Sequence, residues 1–213
     1  MKAIGYYAPR PISDAEALVE TTMPDPKPVG RDLLVEVKAI SLNPVDAKQR
    51  AKVAPTDGGF KILGWDASGV VAATGPEVTL FKPGDEVWYA GSIARQGTNA
   101  ELHLVDERIV ALKPKSLDFA QAAALPLTSI TAWELLFDRL GVGRGTPDST
   151  LLVVGAAGGV GSILVQLARK LTGMTIIGTA SRPETVEWVR SLGAHEVLDH
   201  RKPLYAELRR VGH

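Results

Sequence analysis

The sequence contains no cysteine, and this absence removes several kinds of chemistry. Disulfide bonds, thiolate metal ligands and cysteine nucleophiles are all excluded. The chain also has no net charge, since 24 Lys and Arg residues balance 24 Asp and Glu residues. Without a net positive field, neither nucleic acid nor an anionic membrane surface is an expected partner. The N-terminus lacks the basic-then-apolar pattern of a secretory signal, so we predict a cytoplasmic protein.

One uncharged stretch, LLVVGAAGGVGSILVQLA at residues 151–168, is apolar enough to suggest a membrane span. It is shorter than the roughly 20 residues that a spanning helix needs. It also contains four glycines, Gly155, Gly158, Gly159 and Gly161. Each glycine costs a helix interior about 1 kcal/mol relative to alanine. The stretch is therefore predicted to be a buried strand, a glycine turn and an amphipathic helix.

Two hydrophobic patterns divide the chain. Short alternating apolar runs, bounded by segments rich in Pro, Gly and Asp, predict a β-barrel-like domain over residues 1–127. Helical patterning begins near Asp118, and Pro126 separates its first two helical windows. From Thr150 onward, strand and helix patterns alternate, which predicts right-handed βαβ units and a parallel sheet in the domain over residues 128–213. The predicted fold class is therefore α/β.

The glycine turn has the properties of a binding site for a dinucleotide phosphate. Backbone N–H groups at a helix start have no partner within the helix, and the positive end of the helix dipole lies behind them. The G-x-G-x-x-G fingerprint has Ala156 in place of its first glycine and continues through Gly158, Gly159, Val160 and Gly161. The flanking strand and helix favour a nucleotide site, although a glycine-rich turn that binds nothing has the same pattern.

The residues about 20 positions after the glycines distinguish the two nicotinamide cofactors. NAD-binding folds usually carry an acid there for the ribose 2′-hydroxyl, but this chain has Ser181 and Arg182. A hydroxyl and a guanidinium suit a phosphate, so the sequence predicts NADP(H). Ser181 and Glu184 also fit a helix-capping box with Pro183 at the first helical turn, and this structural alternative stays open.

Several motifs together resemble the medium-chain dehydrogenase/reductase superfamily. The resemblance is to its zinc-independent quinone oxidoreductase-like branch, and within it to the zinc-type alcohol dehydrogenase-like proteins. The motifs are SLNPVDAK, ILGWDASGVV, FKPGDEV, NAELHLVDE, AALPLTSITAWELL and VVGAAGGVGS. The resemblance covers the whole chain and implies a GroES-like catalytic domain followed by a Rossmann dinucleotide-binding domain. It also implies that the chain stops after the first half of the Rossmann sheet, and that the full-length protein is a homodimer.

The resemblance also bears on metals. Superfamily members that use catalytic zinc hold it with Cys, His and Cys, and motif alignment places Asn43, Trp65 and Leu127 at those positions. None of these is a normal zinc ligand, so the implied reaction uses no metal. The histidines do not form a ligand spacing either, and each is interpreted as an ordinary surface or core residue. They are His103, His195, His200 and His213.

The activity that the resemblance implies is hydride transfer from NADPH to a quinone or an α,β-unsaturated carbonyl. Charge then develops on an oxygen of the acceptor, so the protein has to position the reactants and donate hydrogen bonds to that oxygen. The resemblance places Thr131 near the nicotinamide. The candidate catalytic residues are Asn43, Asp46, Lys48, Trp65 and Asp66.

These candidates also have structural interpretations, which stay open. Asn43 suits an Asx-type turn, and Lys48 suits a solvated surface. Trp65 suits an apolar wall, Asp66 a structural hydrogen bond, and Thr131 a helix start. Two other functions also stay open. One is an alcohol or aldehyde reductase of the same fold, and the other is a non-catalytic NADPH-binding sensor or scaffold, or an inactive fragment.

Overall fold

The computed structural model describes residues 1–56, 59–143 and 149–213. It divides into two compact units, Met1–Leu127 and Thr128–His213. The division falls where the sequence patterns change, and the roles assigned to the two domains stay predictions. Within the described ranges, no helix is both long enough and apolar enough to cross a bilayer.

The first unit is built from antiparallel strands. In chain order they are β1 (Lys2–Tyr6), β2 (Val19–Thr22), β3 (Asp32–Ser41), β4 (Lys61–Ile62), β5 (Asp66–Thr74), β6 (Glu86–Ala90), β7 (Leu102–Asp106) and β8 (Val110–Leu112). Five of them form one sheet with the order β7-β3-β5-β6-β8, and the other three form a sheet with the order β2-β1-β4. Alternate residues such as Leu33, Val35 and Val87 are fully buried, because successive side chains of a strand point to opposite faces.

Two helices accompany these sheets, α1 (Pro44–Lys52) and α2 (Phe119–Ala123). Helix α1 was not predicted from the sequence, for which an Asx-type turn at Asn43 was one of two open interpretations. In the structure Asn43 instead precedes a nine-residue helix, and Pro44 occupies its first position, where proline needs no N–H partner. The carboxylate of Asp46 accepts a hydrogen bond from the Asn43 N–H at 2.6 Å, which stabilises this helix start.

The second unit contains three parallel strands, β9 (Thr150–Val153), β10 (Thr175–Thr179) and β11 (Glu196–Leu198). Their spatial order is β11-β10-β9, which matches strands 3-2-1 of a Rossmann sheet. Helix α3 (Pro126–Trp133) continues into a π-helical segment, Glu134–Arg139. The helices that follow are α4 (Gly159–Leu171), α5 (Pro183–Ser191) and α6 (Leu204–Arg210). The α/β fold class and the partial Rossmann arrangement are therefore confirmed.

The uncharged stretch at residues 151–168 covers parts of β9 and α4 joined by the glycine turn, as predicted. Helix α4 buries Leu164, Val165 and Ala168 in the core of the second unit. These positions recur at helical spacing, so one face of α4 packs on the sheet. The start of α4 is thereby fixed at the carboxyl end of β9.

Candidate functional site

The chain turns sharply between β9 and α4, and glycine is required at two points of this turn. Gly155 has a φ of 71°, a conformation that L side chains rarely adopt. A Cβ added to Gly161 would lie 2.5 Å from the carbonyl oxygen of Gly155, so only glycine lets the helix approach so closely. Ala156, at the first fingerprint position, is fully buried. Its methyl group therefore packs inward and leaves the outer face of the turn open.

Thr179, the last residue of β10, holds this turn in place. Its Oγ1 accepts a hydrogen bond from the Gly155 N–H at 2.9 Å. Its carbonyl oxygen accepts a second one from the Ala156 N–H at 3.3 Å. Thr179 is not among the residues predicted from sequence, because the partner of a strand end depends on which strands are neighbours.

The outer face of the turn exposes backbone N–H groups. The Ser162 N–H donates to the Gly158 carbonyl at 2.8 Å and forms the first rung of the helical ladder. The N–H groups of residues 159–161 precede this rung and have no acceptor within the helix. Gly158 and Gly159 are exposed and carry no side chain that would cover those N–H groups. This arrangement suits an anionic group such as a phosphate.

A cavity of about 330 Å³ lies at the carboxyl ends of β9 and β10. Ligands of open α/β sheets bind at this place, in the crevice beyond the carboxyl ends of the strands. The cavity brings the glycine turn together with both predicted phosphate-binding residues. Its lining comprises Gly155, Ala157, Gly158, Thr179, Ala180, Ser181, Arg182, Thr185 and His200.

A second cavity, of about 450 Å³, lies beside the first half of α4. Its lining combines residues 158–161 of the turn with apolar residues of β9 such as Leu151 and Val153. Thr131, which the resemblance placed near the nicotinamide, lies within α3 and is not among the lining residues of either cavity. Its proposed contact with the cofactor therefore stays a prediction.

The capping alternative for Ser181 is wrong. Helix α5 begins at Pro183 with Arg182 at its N-cap, and the Thr185 Oγ1 accepts the Arg182 N–H at 3.3 Å. Ser181 lies one position earlier, half-buried in the cavity wall. The exposed guanidinium of Arg182 lies 3.1 Å from the Glu184 carboxylate. An exposed pair of this kind is worth only about 0–1 kcal/mol, so it holds Arg182 weakly.

In the first unit, three of the five candidate catalytic residues form one hydrogen-bonded network. The Asn43 Nδ2 donates to the Asp66 carboxylate at 2.9 Å, while the Asn43 N–H donates to the Asp46 carboxylate at 2.6 Å. Asp46 also accepts from the Gly64 N–H at 3.0 Å, and Asp66 accepts from the Leu127 N–H at 2.9 Å. The network ties the start of α1 to the start of β5.

Burial governs the acidity of both carboxyl groups. It raises the pKa of Asp66 to about 6, and it raises the pKa of Asp46 as well. The hydrogen bonds that Asp66 accepts from Asn43 and Leu127 lower its pKa and offset part of this effect, while the charge of Asp46 adds to it. Asp66 is fully buried, so its ionisation changes the energy of the fold as well as that of any reaction nearby.

Comparison with known proteins identifies the family of this chain. Residues 30–115 match the family model of the alcohol dehydrogenase GroES-like domain. A zinc-type alcohol dehydrogenase-like protein of Staphylococcus aureus is 43% identical over 217 residues, covering 99% of this chain and 63% of that protein. A crystal structure from Rhizobium etli, assigned provisionally to the zinc-dependent alcohol dehydrogenases, has 60% identity and a TM-score of 0.93. That match covers 100% of this chain and 62% of the other.

The Escherichia coli quinone oxidoreductase complexed with NADPH has 30% identity and a TM-score of 0.84, covering 99% of this chain and 62% of that one. The chain belongs to the medium-chain dehydrogenase/reductase superfamily. It spans 62–63% of the length of these three relatives. The activity and partners of a whole superfamily member are therefore proposals for this chain.

The names of two relatives refer to zinc. In this chain, the residues aligned with the zinc ligands of the superfamily do not fit that metal. The Asn43 amide turns its NH₂ group toward Asp66, and a donor of this kind cannot coordinate a cation. Trp65 and Leu127 have no side-chain ligand for zinc. Throughout the described ranges, no group of three or more His, Asp or Glu side chains is arranged to hold a metal ion.

The two remaining candidate catalytic residues, Trp65 and Lys48, differ in their exposure. Trp65 is 1% exposed, and its Nε1 donates to the Ser92 carbonyl at 3.0 Å. Its N–H is therefore already used, and the side chain serves as packing rather than as a donor to substrate. Lys48 is exposed on α1, two residues after Asp46, and forms no ion pair within the described part of the chain.

Proposed function

We propose that this chain is the nucleotide-binding and catalytic part of an NADPH-dependent oxidoreductase. The reaction would transfer a hydride to a quinone or an α,β-unsaturated carbonyl without zinc. The observation that carries the proposal is the cavity of about 330 Å³, where the glycine turn meets Ser181 and Arg182. The quinone oxidoreductase with NADPH among the relatives supports the same class of cofactor and acceptor.

The described residues fit a dinucleotide. The exposed N–H groups at the start of α4 suit the pyrophosphate, and a Cβ on Gly161 would close the turn that presents them. Ser181 offers a hydroxyl and Arg182 a guanidinium to a ribose 2′-phosphate, which guanidinium groups bind strongly. An NAD-specific site would instead present an acid to the 2′-hydroxyl.

The nicotinamide supplies the hydride when the cofactor is bound. The chain's own contribution is to orient the acceptor and to stabilise charge on its oxygen. In the first unit, Asp46 holds the backbone N–H of Asn43 and Asp66 holds its side-chain amide, so Asn43 is a positioning residue of the network. Lys48 offers an exposed ammonium group on α1 and is our candidate donor to the acceptor oxygen.

Fluorescence titration with NADPH and NADH tests the cofactor assignment. In Arg182→Ala, NADPH binding should weaken by roughly tenfold or more, because a charge-assisted hydrogen bond is worth about 1.5–3 kcal/mol. NADH binding should change little. Arg190→Ala, near the other end of α5, removes the same charge from an exposed position and should leave both affinities unchanged. Equal losses for the two cofactors in Arg182→Ala would refute the 2′-phosphate assignment.

A panel of acceptors tests the reaction class. Quinones, enones and simple aldehydes are each mixed with NADPH and the protein, and cofactor oxidation is followed by absorbance. Oxidation with quinones or enones and not with aldehydes supports the proposal. Oxidation with aldehydes alone supports the alcohol or aldehyde reductase. Tight NADPH binding without any oxidation would identify a non-catalytic binding protein.

A further inference from the structure

We propose that the first unit has a binding site of its own, a cavity of about 320 Å³ that accepts a small carboxylic acid with an apolar body. The site lies wholly within Met1–Leu127 and shares no lining residue with the two cavities at the glycine turn. Binding there does not require the proposed nucleotide site, so the two sites can be tested separately.

The walls of this cavity are mainly apolar. They come from the loop after β2, from the segment before β7 and from β4 and β7 themselves. The apolar members include Met23, Pro24, Pro26, Ile62, Leu102 and Leu104. Small-molecule sites are cavities that start at about this volume, with apolar walls and a few polar groups that fix the ligand. The cavity therefore suits the apolar body of a small molecule.

Arg95 supplies the charge of this cavity. Its Nη1 donates to the Asp32 carboxylate at 2.9 Å, while its Nε and Nη2 form no hydrogen bond within the described part of the chain. The N–H groups of Nε and Nη2 lie parallel on one edge of the guanidinium, an arrangement that matches the two oxygens of a carboxylate. The side chain is 37% exposed, so a ligand can reach it from solvent.

The other polar side chains of the lining already have partners. Gln96 accepts the Ile62 N–H through its Oε1 and donates to the Phe60 carbonyl through its Nε2, both at 2.8 Å. The two ring nitrogens of His103 face the Gln96 carbonyl and a tyrosine hydroxyl, each at 3.0 Å. Arg95 is therefore the side chain of this lining that can bind the polar group of a ligand.

The charges around Arg95 favour an anion as that polar group. Among the described residues, no acidic side chain lines the cavity. Asp32 is bonded to Arg95 itself, and the nearby Asp106 is held by Arg108, with Nη2 at 2.6 Å and Nε at 2.9 Å. Burial lowers the pKa of His103 to about 4, so its ring adds no charge near neutral pH. An apolar acid would thus meet one cation with two unused donors.

The wall that carries Arg95 is held in place by the chain around β4. The Gly97 N–H donates to the Ile62 carbonyl at 3.0 Å, and the Lys61 ammonium group donates to the Arg95 carbonyl. A Cβ on Gly97 would lie 2.2 Å from the Leu63 carbonyl oxygen, so the two segments lie in direct contact. A site whose walls are already ordered loses less conformational freedom on binding, which favours affinity.

Methionine methyl signals in an NMR titration test the site directly. The chain has three methionines, of which Met1 and Met23 line the cavity, whereas Met174 is buried in the core of the second unit. Hexanoate, a linear aliphatic carboxylate, should shift the Met23 signal in a saturable way and leave the Met174 signal unchanged. Acetate lacks the apolar body and hexanamide lacks the charge, so each should bind at least about tenfold more weakly.

Variants of Arg95 test the polar contact. Arg95→Gln should weaken hexanoate binding by roughly tenfold or more, because it removes the charged donors. Lys27→Gln removes an exposed cation from the loop after β2, outside the lining, and should leave the affinity unchanged. If Arg95→Gln does not fold, Arg95→Lys decides, since it keeps a cation beside Asp32 and loses the two parallel donors. Hexanoate should then bind several-fold more weakly than to the unmodified protein.

The proposal is overturned if hexanoate leaves the Met23 signal unchanged, or if it shifts the Met174 signal equally and so binds elsewhere. Equal affinity for hexanamide and hexanoate would also overturn it, because the cavity would then recognise no charge. Full affinity for hexanoate in Arg95→Gln, or in Arg95→Lys where glutamine prevents folding, would exclude Arg95 as the anchor. None of these measurements uses NADPH, so each leaves the NADPH proposal as it stands.

Discussion

The polar groups singled out in the two units differ in their exposure to solvent. In the first unit, Asp66 and His103 are 0% and 4% exposed, and their polar atoms are bonded to other groups of the same unit. In the second unit, Gly158, Arg182 and His200 are exposed around a cavity. Buried groups that are fully hydrogen-bonded stabilise one arrangement of the chain, whereas exposed groups remain available to a ligand. Changes at the buried groups Asp66 and His103 should therefore affect stability, and changes at an exposed group such as Arg182 should affect binding.

The largest effect is expected from Gly161→Val. Its Cβ would lie 2.5 Å from the Gly155 carbonyl oxygen and 2.7 Å from the Ala156 Cα, both backbone atoms that cannot turn aside. We expect a loss of about 3 kcal/mol in the free energy of unfolding, at the upper end for overpacking. NADPH binding should become undetectable, because α4 would be displaced from the turn. Urea unfolding and cofactor titration measure the two effects.

Gly158→Ala is the matched control in the same turn. Its Cβ would lie 3.3 Å from the Gly155 carbonyl, a contact that small shifts relieve, and its φ is ordinary for alanine. Stability should change by less than about 1 kcal/mol, while NADPH binding weakens because a methyl group enters the phosphate position. If both variants lose stability equally, the glycine requirement at Gly161 does not come from close packing.

The next prediction concerns His103 and the loss of stability at low pH. Its Nε2 faces the Gln96 carbonyl at 3.0 Å, and its Nδ1 faces the Tyr89 hydroxyl at 3.0 Å. A carbonyl can only accept, so the neutral ring donates through Nε2 and accepts at Nδ1. Burial lowers its pKa to about 4, below the value of about 6.5 for an unfolded chain. The unfolded state therefore binds a proton first, and stability is lost as the pH falls from about 6.5 to about 4.

His103→Gln tests this. The loss in the unmodified protein should reach about 3 kcal/mol, from about 1.4 kcal/mol per pKa unit. The variant, whose amide can still donate to the Gln96 carbonyl, should lose much less over the same range. Urea unfolding at several pH values gives both curves. Parallel curves for the two proteins would show that another group causes the acid sensitivity.

The titration of Asp66 should change the free energy of unfolding in the opposite direction with pH, and by a slightly smaller amount. The variant Asp66→Asn tests this. Burial raises the Asp66 pKa to about 6, above the unfolded value of about 3.9. The folded state holds the proton longer, so stability is lost as the pH rises from about 4 to about 6 and stays lower above that range. The variant should gain stability relative to the unmodified protein over this rise, by up to about 3 kcal/mol before any loss of hydrogen bonding.

Unfolding measured at about pH 4 and about pH 7 checks this difference, within the range set by the two pKa values. The amide introduced by Asp66→Asn would keep one acceptor for the Leu127 N–H, and Asn43 can turn its own amide oxygen toward the new NH₂ group. If the free energies of unfolding of the two proteins differ by the same amount at both pH values, Asp66 does not titrate in this range.

The sequence allowed good prediction where structure is decided locally. Residues 151–168 gave β9, the turn and α4, because glycine spacing and helical periodicity lie within one short stretch. Strand β4 was missed because it has two residues and exists only by pairing with β1. In the site, Ser181 and Arg182 could be placed by counting along the chain. The positions of Thr179 and His200 in the cavity wall could not be predicted, because they depend on which strand ends meet.

Thr179→Val is expected to have the smallest effect. It tests whether a buried polar group determines how the exposed N–H groups of the glycine turn bind a ligand. Thr179 is 1% exposed, like the buried polar groups of the first unit. Its hydroxyl, however, accepts the Gly155 N–H and so holds the exposed glycine turn in place. Valine keeps the shape and leaves that N–H without its partner, at a cost of about 2 kcal/mol. The turn also loses one of its two bonds to β10, so NADPH binding should weaken several-fold.

Thr179→Ser supplies the comparison, since it keeps the hydroxyl and removes a buried methyl group. It should lose about 1 kcal/mol of stability, yet retain nearly the full NADPH affinity of the unmodified protein. Separate measurements of unfolding and of cofactor titration distinguish the two contributions. If valine and serine weaken binding equally, packing at Thr179 positions the turn and the hydroxyl does not. If only valine weakens it, a buried hydrogen bond determines how the second unit presents its exposed N–H groups.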